Sequence, residues 1–298
     1  MDRHDLRRSI RFLYWEFLKH LPAKAAVYII YGQGYHKLLN LKQPRYFGEK
    51  IQWLKLYGHL EDLSPYVDKY EVRSYVERTI GPGHLNTLYG LYNSFDEIDF
   101  DALPDEFVIK NTNGTQMICT CADKSALDQG KMRRTVNGWM KSAFWRVKKE
   151  MQYKNIPNRI LIEKRLTDFE EDLIDYKYYC FEGVPTYLAI IYGRRSEPHP
   201  HTVIVDMEGN RIDPSGIVRE DIWKDPRAKK GNDEMCALAA KLAAPFHYVR
   251  VDFYYVQEQV IFGELTFTDG GGGHPFYPET LDLEMGARIP MESLLKNT

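Results

Sequence analysis

Residues 248–268, YVRVDFYYVQEQVIFGELTFT, constrain this chain more than any other stretch. Both halves alternate apolar and polar residues about a short QEQ segment, the pattern of a hairpin with one face turned to a core. The first strand puts Tyr248, Arg250, Asp252 and Tyr254 on one face and Val249, Val251 and Phe253 on the other. The second puts Phe262, Glu264, Thr266 and Thr268 on one face and Leu265 and Phe267 on the other. With the turn centred on Glu258, Asp252 lies opposite Glu264 and Arg250 opposite Thr266; a slip of one residue would undo this pairing. Carboxylates directly opposite on a sheet repel. Either solvent and Arg250 relieve the repulsion, or a cation joins the two groups. Mg²⁺ suits the second case, because it takes one or two carboxylates and completes its shell with water and phosphate oxygens. Arg250 could then hold a phosphate or a developing anion. The next residues, TDGGGGHPF, raise a second choice. Four glycines make either a pliable surface turn or a loop whose backbone can approach a ligand closely.

The rest of the chain supplies the frame. Its 298 residues suffice for one large or two modest domains. Residues 1–95 read as a mostly helical region. There EKIQWLKLYGHL sets Ile51, Leu54 and Leu56 with Trp53 on a broad apolar face, and DKYEVRSYVERTIGPG is a helix stopped at Gly81-Pro82-Gly83. Residues 96–167 change texture. FVIKNTNGTQMICT reads as two short strands about an Asn113-Gly114 turn, followed by a helix over 128–150 and the strand RILIEKRL. Residues 168–298 begin with a hairpin, DYKYYCFEGVPTYLAIIYG, turning at Glu182-Gly183. A polar stretch over 193–231 reads as loops with short strands. A helix then opens with Asn232 as its cap and carries a stripe of Met235, Leu238, Leu242 and Phe246. Small mixed sheets with helices between them indicate an α+β fold rather than a doubly wound one.

Charge and motifs exclude several classes. A net charge of −2 offers no basic surplus for nucleic acid. No run reaches the ~18–20 apolar residues of a membrane span. The N-terminal MDRHDLRRSIRFLYWEFLKHL has no signal-peptide core. It would pack on its own domain or touch a membrane surface peripherally. Four cysteines without a CxxC suit a reduced, cytoplasmic setting, at the inner face of the membrane if that helix makes contact. There is no P-loop and no G-x-S-x-G, and His199 and His201 have no partners at zinc spacing.

Several further groups could serve a phosphate site or be ordinary surface charges. Lys110 ends an apolar strand at the lip of the Asn113-Gly114 turn, where backbone N–H groups could cradle a phosphate. Lys177 shares a strand face with Asp175 and Tyr179. Lys69 and Arg73 stand four apart, a mild repulsion that solvent or a bound anion could relieve. Glu163 sits where the strand Leu161–Leu166 turns polar, an end at which adjoining backbone could read a base edge and the carboxylate a ribose hydroxyl.

The order of these pieces carries more than any one of them. DKY-x-VR, FVIKNTNGT, ILIEKRL, DYKYYCFEG, VRVDFYYV and FGELTFTDGGGG follow one another, with FGEKIQWLKLY ahead of them. The series resembles the ATP-grasp superfamily, and within it the TupA-like branch associated with teichuronopeptide and other bacterial surface polysaccharides. The resemblance spans roughly residues 45–290. It implies an ATP-grasp fold, two α+β lobes clamping ATP, behind the helical N-terminal region. It implies ATP and Mg²⁺ as cofactors. Lys69, Lys110 and Lys177 would hold phosphates, Asn113 and Gly114 would form the loop over them, and Glu163 with Lys164 would hold the nucleoside. Asp252 and Glu264 would bind Mg²⁺. Two residues beyond that glutamate the superfamily usually has Asn; here Thr266 offers a hydroxyl instead. Arg250 and Arg194 would stabilise anionic intermediates, and Gly270–Gly273 would lie beside the γ-phosphate. The implied activity joins a carboxylate, of a uronic acid or an amino acid, to an amine through an acylphosphate. A sugar kinase, a glycosyltransferase using the carboxylates for a nucleotide sugar, and a non-catalytic ATP-binding protein are the alternatives.

Overall fold

The computed structural model describes residues 13–167, 173–193, 200–212, 229 and 231–296. Arg194, His199, residues 1–12 and most of the 193–231 stretch lie outside the described residues. The helices used below are α1 (Ala23–Tyr35), α2 (Phe47–Tyr57), α3 (Val72–Ile80), α4 (Gln129–Met140), α5 (Asn232–Ala243) and α6 (Glu279–Ala287). The strands are β1 (Leu88–Tyr92), β2 (Phe107–Asn111), β3 (Ile118–Cys121), β4 (Ile160–Lys164), β5 (Asp175–Phe181), β6 (Val184–Tyr192), β7 (His201–Asp206), β8 (Tyr248–Val256) and β9 (Gln259–Thr266). Among the described residues no helix is long and apolar enough to cross a membrane.

Two compact units collect segments far apart in sequence. One comprises residues 1–64, 143–156 and 268–293 and is helical. Its core forms where Val27, Ile30, Tyr31 and Tyr35 of α1 and Phe47, Ile51 and Leu54 of α2 are buried, with Leu281 and Met285 of α6. Buried Asp282 ties the pieces together. It accepts from the Tyr35 hydroxyl at 2.8 Å and from the backbone N–H groups of Phe47 and Phe276 at 2.8 and 2.7 Å. Glu49 folds back on the entry to α2 and accepts from the N–H groups of Asn40, Arg45 and Tyr46. Of these, the Tyr46 N–H at the cap would otherwise be orphaned at the helix start.

The other unit, residues 65–142, 157–267 and 294–298, carries both sheets. One has the order β1-β4-β2-β3 and the other β7-β6-β5-β8-β9. Every pairing is antiparallel, so the sheets are not mixed. Local hairpins, β2–β3 in one sheet and β5–β6 and β8–β9 in the other, are joined by the long-range pairs β1–β4, β2–β4 and β5–β8. Phe107 and Ile109 of β2 with Ile160 and Ile162 of β4 are buried against Met132 and Val136 of α4. Helix α5 packs on β5, β6 and β8. The stripe Met235, Leu238, Leu242 and Phe246 is buried as its spacing indicates.

Local chemistry explains where elements stop. Helix α3 ends at Gly81 with φ of 96°, and β5–β6 turns on Glu182 and Gly183 at φ of 52° and 80°, the left-handed pair that a tight hairpin requires. The other expected two-residue turn does not form. β2 and β3 are separated by Thr112–Met117, because Asn111 and Thr112 are engaged elsewhere. The Asn111 amide donates to the Asn158 side chain, and the Thr112 N–H to the Arg159 carbonyl. Helix α4 stops at Met140 instead of running to 150. The Asn158 amide takes the carbonyls of Met140 and Ser142 at 3.1 and 3.0 Å, capping the end. Asn232 is the first helical residue of α5 and not its cap. Its side-chain oxygen accepts from the Tyr178 hydroxyl, and Gly231 takes the cap position at φ of 76°.

Candidate active site

Strand pairing places Asp252 opposite Glu264 and Arg250 opposite Thr266. The route to that register differs from a turn centred on Glu258. The hairpin turns on two residues, Gln257 and Glu258, both left-handed at φ of 49° and 65°. Near the turn the pairing is therefore offset by one, Val256 with Gln259 and Phe253 with Phe262. A bulge at Gly263 restores the offset before Asp252 is reached. A Cβ at that glycine would lie 3.0 Å from the Asp252 carbonyl oxygen, so the bulge favours a residue without one.

The two carboxylates do not share one environment. Asp252 is buried, while the Glu264 side chain is 40% exposed. Arg250 lies between them. Its guanidinium makes a two-pronged contact with Asp252 at 2.7 and 2.7 Å and reaches Glu264 at 2.9 Å and the Thr266 hydroxyl at 3.1 Å. Thr266 in turn donates to Glu264 at 3.1 Å. Lys177 of β5, paired with Asp252 in register, is the second cation on that carboxylate. Burial alone would raise the Asp252 carboxyl; Arg250 and Lys177 outweigh it and hold the group below its ordinary value. Repulsion across the hairpin is thus relieved by protein cations on the Asp252 side, leaving Glu264 and Thr266 open to solvent and ligands.

A second cluster lies on the four-stranded sheet. Buried Glu163 accepts from Arg73 at 3.0 Å and from Lys110 at 2.7 Å. Lys164, next in the strand, has an exposed side chain and a backbone held by Thr87 and Asn86. Lys69 precedes α3 instead of sharing a helix with Arg73. Its backbone N–H donates to Thr112 and its ammonium to the Gly114 carbonyl, so it pins the β2–β3 loop that contains Asn113. Burial pushes the Lys69 ammonium down, opposed chiefly by Glu264, while Lys110 adds to the depression. Lys69 thus feels charges of both clusters.

Asp68 and Arg159 complete the arrangement and are not identified by reading along the chain. Asp68 caps the turn by accepting from the N–H groups of Tyr70 and Glu71, and Arg159 clamps its other oxygen at 2.9 Å. The visible signal is the Asp in DKY-x-VR, a favoured residue at a helix start; nothing local points to Arg159.

Asp252, Glu264 and Thr266 present hard oxygens of the kind Mg²⁺ prefers. Among the described residues no group of three or more His, Cys, Asp or Glu could hold a metal by itself. The residues fit an ion that draws its remaining ligands from water and phosphate. Charge agrees. Lys69, Arg73, Lys110, Lys177 and Arg250 face Glu163, Asp252 and Glu264, a surplus of two positive charges if all are ionised. Such a surplus complements a polyphosphate–Mg²⁺ complex.

A family model described as TupA-like ATPgrasp matches residues 49–290. The chain belongs to this family. The family is an ATP-grasp one, and the sheets and site residues all fall within the matched span. Comparison with curated proteins yields no match. Among solved structures it is similar to the ATP-grasp ligase PsnB complexed with a minimal precursor, at 12% identity and a TM-score of 0.42, covering 76% of this chain and 61% of that one. It is also similar to D-alanine–D-alanine ligase from Bacillus anthracis complexed with ATP, at 16% identity, a TM-score of 0.41, and 75% and 67% coverage. Phosphoribosylamine–glycine ligase from Thermotoga maritima gives 12% identity, a TM-score of 0.38, and 83% and 57% coverage.

Proposed function

We propose that this TupA-like protein is an ATP-dependent ligase that joins a carboxylate to an amine through an acylphosphate. The observation that carries the reading is the hairpin, where Glu264 and Thr266 stand open beside an Asp252 already neutralised by Arg250 and Lys177. Asp252, Glu264 and Thr266 would hold Mg²⁺, which supplies charge neutralisation and a template for the phosphates. Lys69, Lys110 and Lys177 would neutralise phosphate oxygens, and the Asn113-Gly114 loop would cover them. Glu163 and Lys164 would serve the nucleoside end. Arg250 would turn its guanidinium to the transferring phosphoryl group and then to the tetrahedral oxyanion.

In the first step a carboxylate oxygen of the substrate attacks the γ-phosphorus, the bond to the β-bridging oxygen breaks, and ADP leaves. In the second, the amine nitrogen attacks the acyl carbon, phosphate departs with the C–O bonding pair, and the nitrogen loses a proton. Water must be kept from the acylphosphate between the steps. We place the substrates among uronic or amino-acid carboxylates and amino acids or amino sugars of bacterial surface polysaccharide assembly. A cytoplasmic enzyme touching the inner membrane face through its N-terminal helix, where Leu13 and Phe17 are exposed, belongs to the same proposal.

Hydroxylamine trapping tests the chemistry. With MgATP and a uronic acid, a hydroxamate should form along with ADP. ADP without hydroxamate would instead indicate transfer to a hydroxyl, as in a kinase. Transfer of sugar from a nucleotide sugar without ATP use would indicate a glycosyltransferase.

A further inference from the structure

FGEKIQWLKLY and the four glycines are separated by more than two hundred residues, yet both belong to the helical unit and meet there. Gly270, Gly271 and Gly272 are left-handed in succession, at φ of 58°, 66° and 66°. Consecutive residues of one hand direct their carbonyls toward the same end of a turn, as at a helix C-terminus, where cations and N–H donors are favoured. α2 supplies both. The Gln52 amide donates to the Gly271 and Gly272 carbonyls, each at 2.9 Å. The Lys55 ammonium donates to the Gly271 carbonyl and to the Gln52 oxygen at 3.2 Å. Lys148 reaches the Gly270 carbonyl at 3.4 Å.

The fit around the turn is tight. A Cβ on Gly271 would lie 2.7 Å from Lys148 Cδ, and one on Gly272 would lie 2.8 Å from Ile51 Cγ2. At the start of the segment, Thr268 donates to Glu150 and accepts from Gln152 at 2.8 Å. Thr268 is also where the chain enters this unit, two residues past Thr266.

We propose that Lys55 is a positioning residue which, with Gln52, holds the glycine turn that follows Thr268 in its left-handed form. The clasp stands on the helical unit alone; its consequence for turnover rests on the ligase reading. An ammonium is suited to this task because its hydrogen bonds to carbonyls are charge-assisted and stronger than those of a neutral amine.

Lys55 is fully buried, and burial pushes its ammonium down to about 7, with Glu150 opposing and Lys148 assisting. His274 is a further titratable group packed against Gly270 of the turn, while the charged groups beyond it are turned elsewhere. Glu49 accepts from backbone N–H groups, Lys50 donates to the Ile289 carbonyl, and Asp282 is bound by Tyr35, Phe47 and Phe276. Asp269, in the turn itself, also has a partner. The charge that strengthens the clasp is therefore present below about pH 7 and lost above it.

Hydrogen exchange of the Gly271 and Gly273 amides, expressed as protection over the intrinsic rate, tests this without any substrate. In the wild type, protection should fall by about tenfold between about pH 6 and about pH 8. Lys55→Met should be low at both. Glu150→Gln keeps an acceptor for Thr268 but removes the anion supporting Lys55, so the fall should move to lower pH. Should Lys55→Met not fold, Glu150→Gln carries the test. Unchanged protection in Lys55→Met, or no shift of the transition in Glu150→Gln, would overturn the assignment. With an active enzyme, the same pH limb should enter kcat and leave the KM for MgATP unmoved. A failure to find ligase turnover leaves the exchange result standing.

Discussion

Two buried carboxylates, Glu163 on the four-stranded sheet and Asp252 on the five-stranded sheet, are each gripped by two cations. Glu163 uses both oxygens on Arg73 and Lys110 and has no second carboxylate opposite it; its strand neighbours across the sheet are Val108 and Leu88. Asp252 is held by Arg250 and Lys177, but Glu264 stands opposite and half open. The first cluster is a closed anchor with one positive charge in excess, and it aims Lys110 and Arg73. The second has a spare carboxylate and hydroxyl at its edge. The same ionic device thus serves orientation in one place and ion capture in the other, and only the cross-strand partner separates them.

Breaking the second cluster should have the larger effect. Asp252→Asn leaves Lys177 and Arg250 without their shared anion, so turnover should fall by at least about a hundredfold. The fold should also lose about 3 kcal/mol, as expected when one partner of a buried ion pair is removed. Denaturant unfolding checks the second figure. It also checks the pH dependence. The folded carboxyl lies below its unfolded value of about 3.9, so the stabilisation is full at neutral pH and disappears as pH falls below about 4. The stability gap between wild type and Asp252→Asn should close over that acid range.

Glu163→Gln sharpens the comparison. It frees Lys110 and Arg73 from their anchor without touching the metal oxygens, so MgATP affinity should fall by about tenfold, about 1.4 kcal/mol. The dependence on Mg²⁺ should be unchanged, which calorimetric titration at several Mg²⁺ concentrations would show. Thr266→Val should give the smallest change. It removes an acceptor of Arg250 and a donor to Glu264, about 1 kcal/mol of hydrogen bonding, and should raise the Mg²⁺ concentration needed for half-maximal turnover a few-fold.

The pairing of Asp252 with Glu264 was legible because alternation with period two leaves few registers that bury Val251 and Leu265 together. The turn was misplaced by half a residue, and the Gly263 bulge cancelled the error before it reached the site. A lone Gly inside an alternating strand is the signal for such a bulge. The β2–β3 loop was drawn too short because Asn113-Gly114 has the composition of a tight turn, while the contacts that stretch it come from Lys69, Asn158 and Arg159. The clasp was hidden for a related reason. Gln52 and Lys55 read as the polar side of an amphipathic helix, whereas Gly48, Gln52 and Lys55 are buried at i, i+4 and i+7. Polar residues at core spacing become visible only when the carbonyls they serve are known.

The central claim is that the β8–β9 hairpin is the Mg²⁺-dependent ATP site. Thermal unfolding with ATP, with and without Mg²⁺, tests it most directly in the wild type and Glu264→Gln. At about 100 times Kd a ligand adds about 2.7 kcal/mol, which should raise Tm of the wild type by several degrees with MgATP and by much less with ATP alone. Glu264→Gln should keep the small rise and lose the difference that Mg²⁺ makes. An equal Mg²⁺-dependent rise in the variant, or none in the wild type, would contradict the assignment.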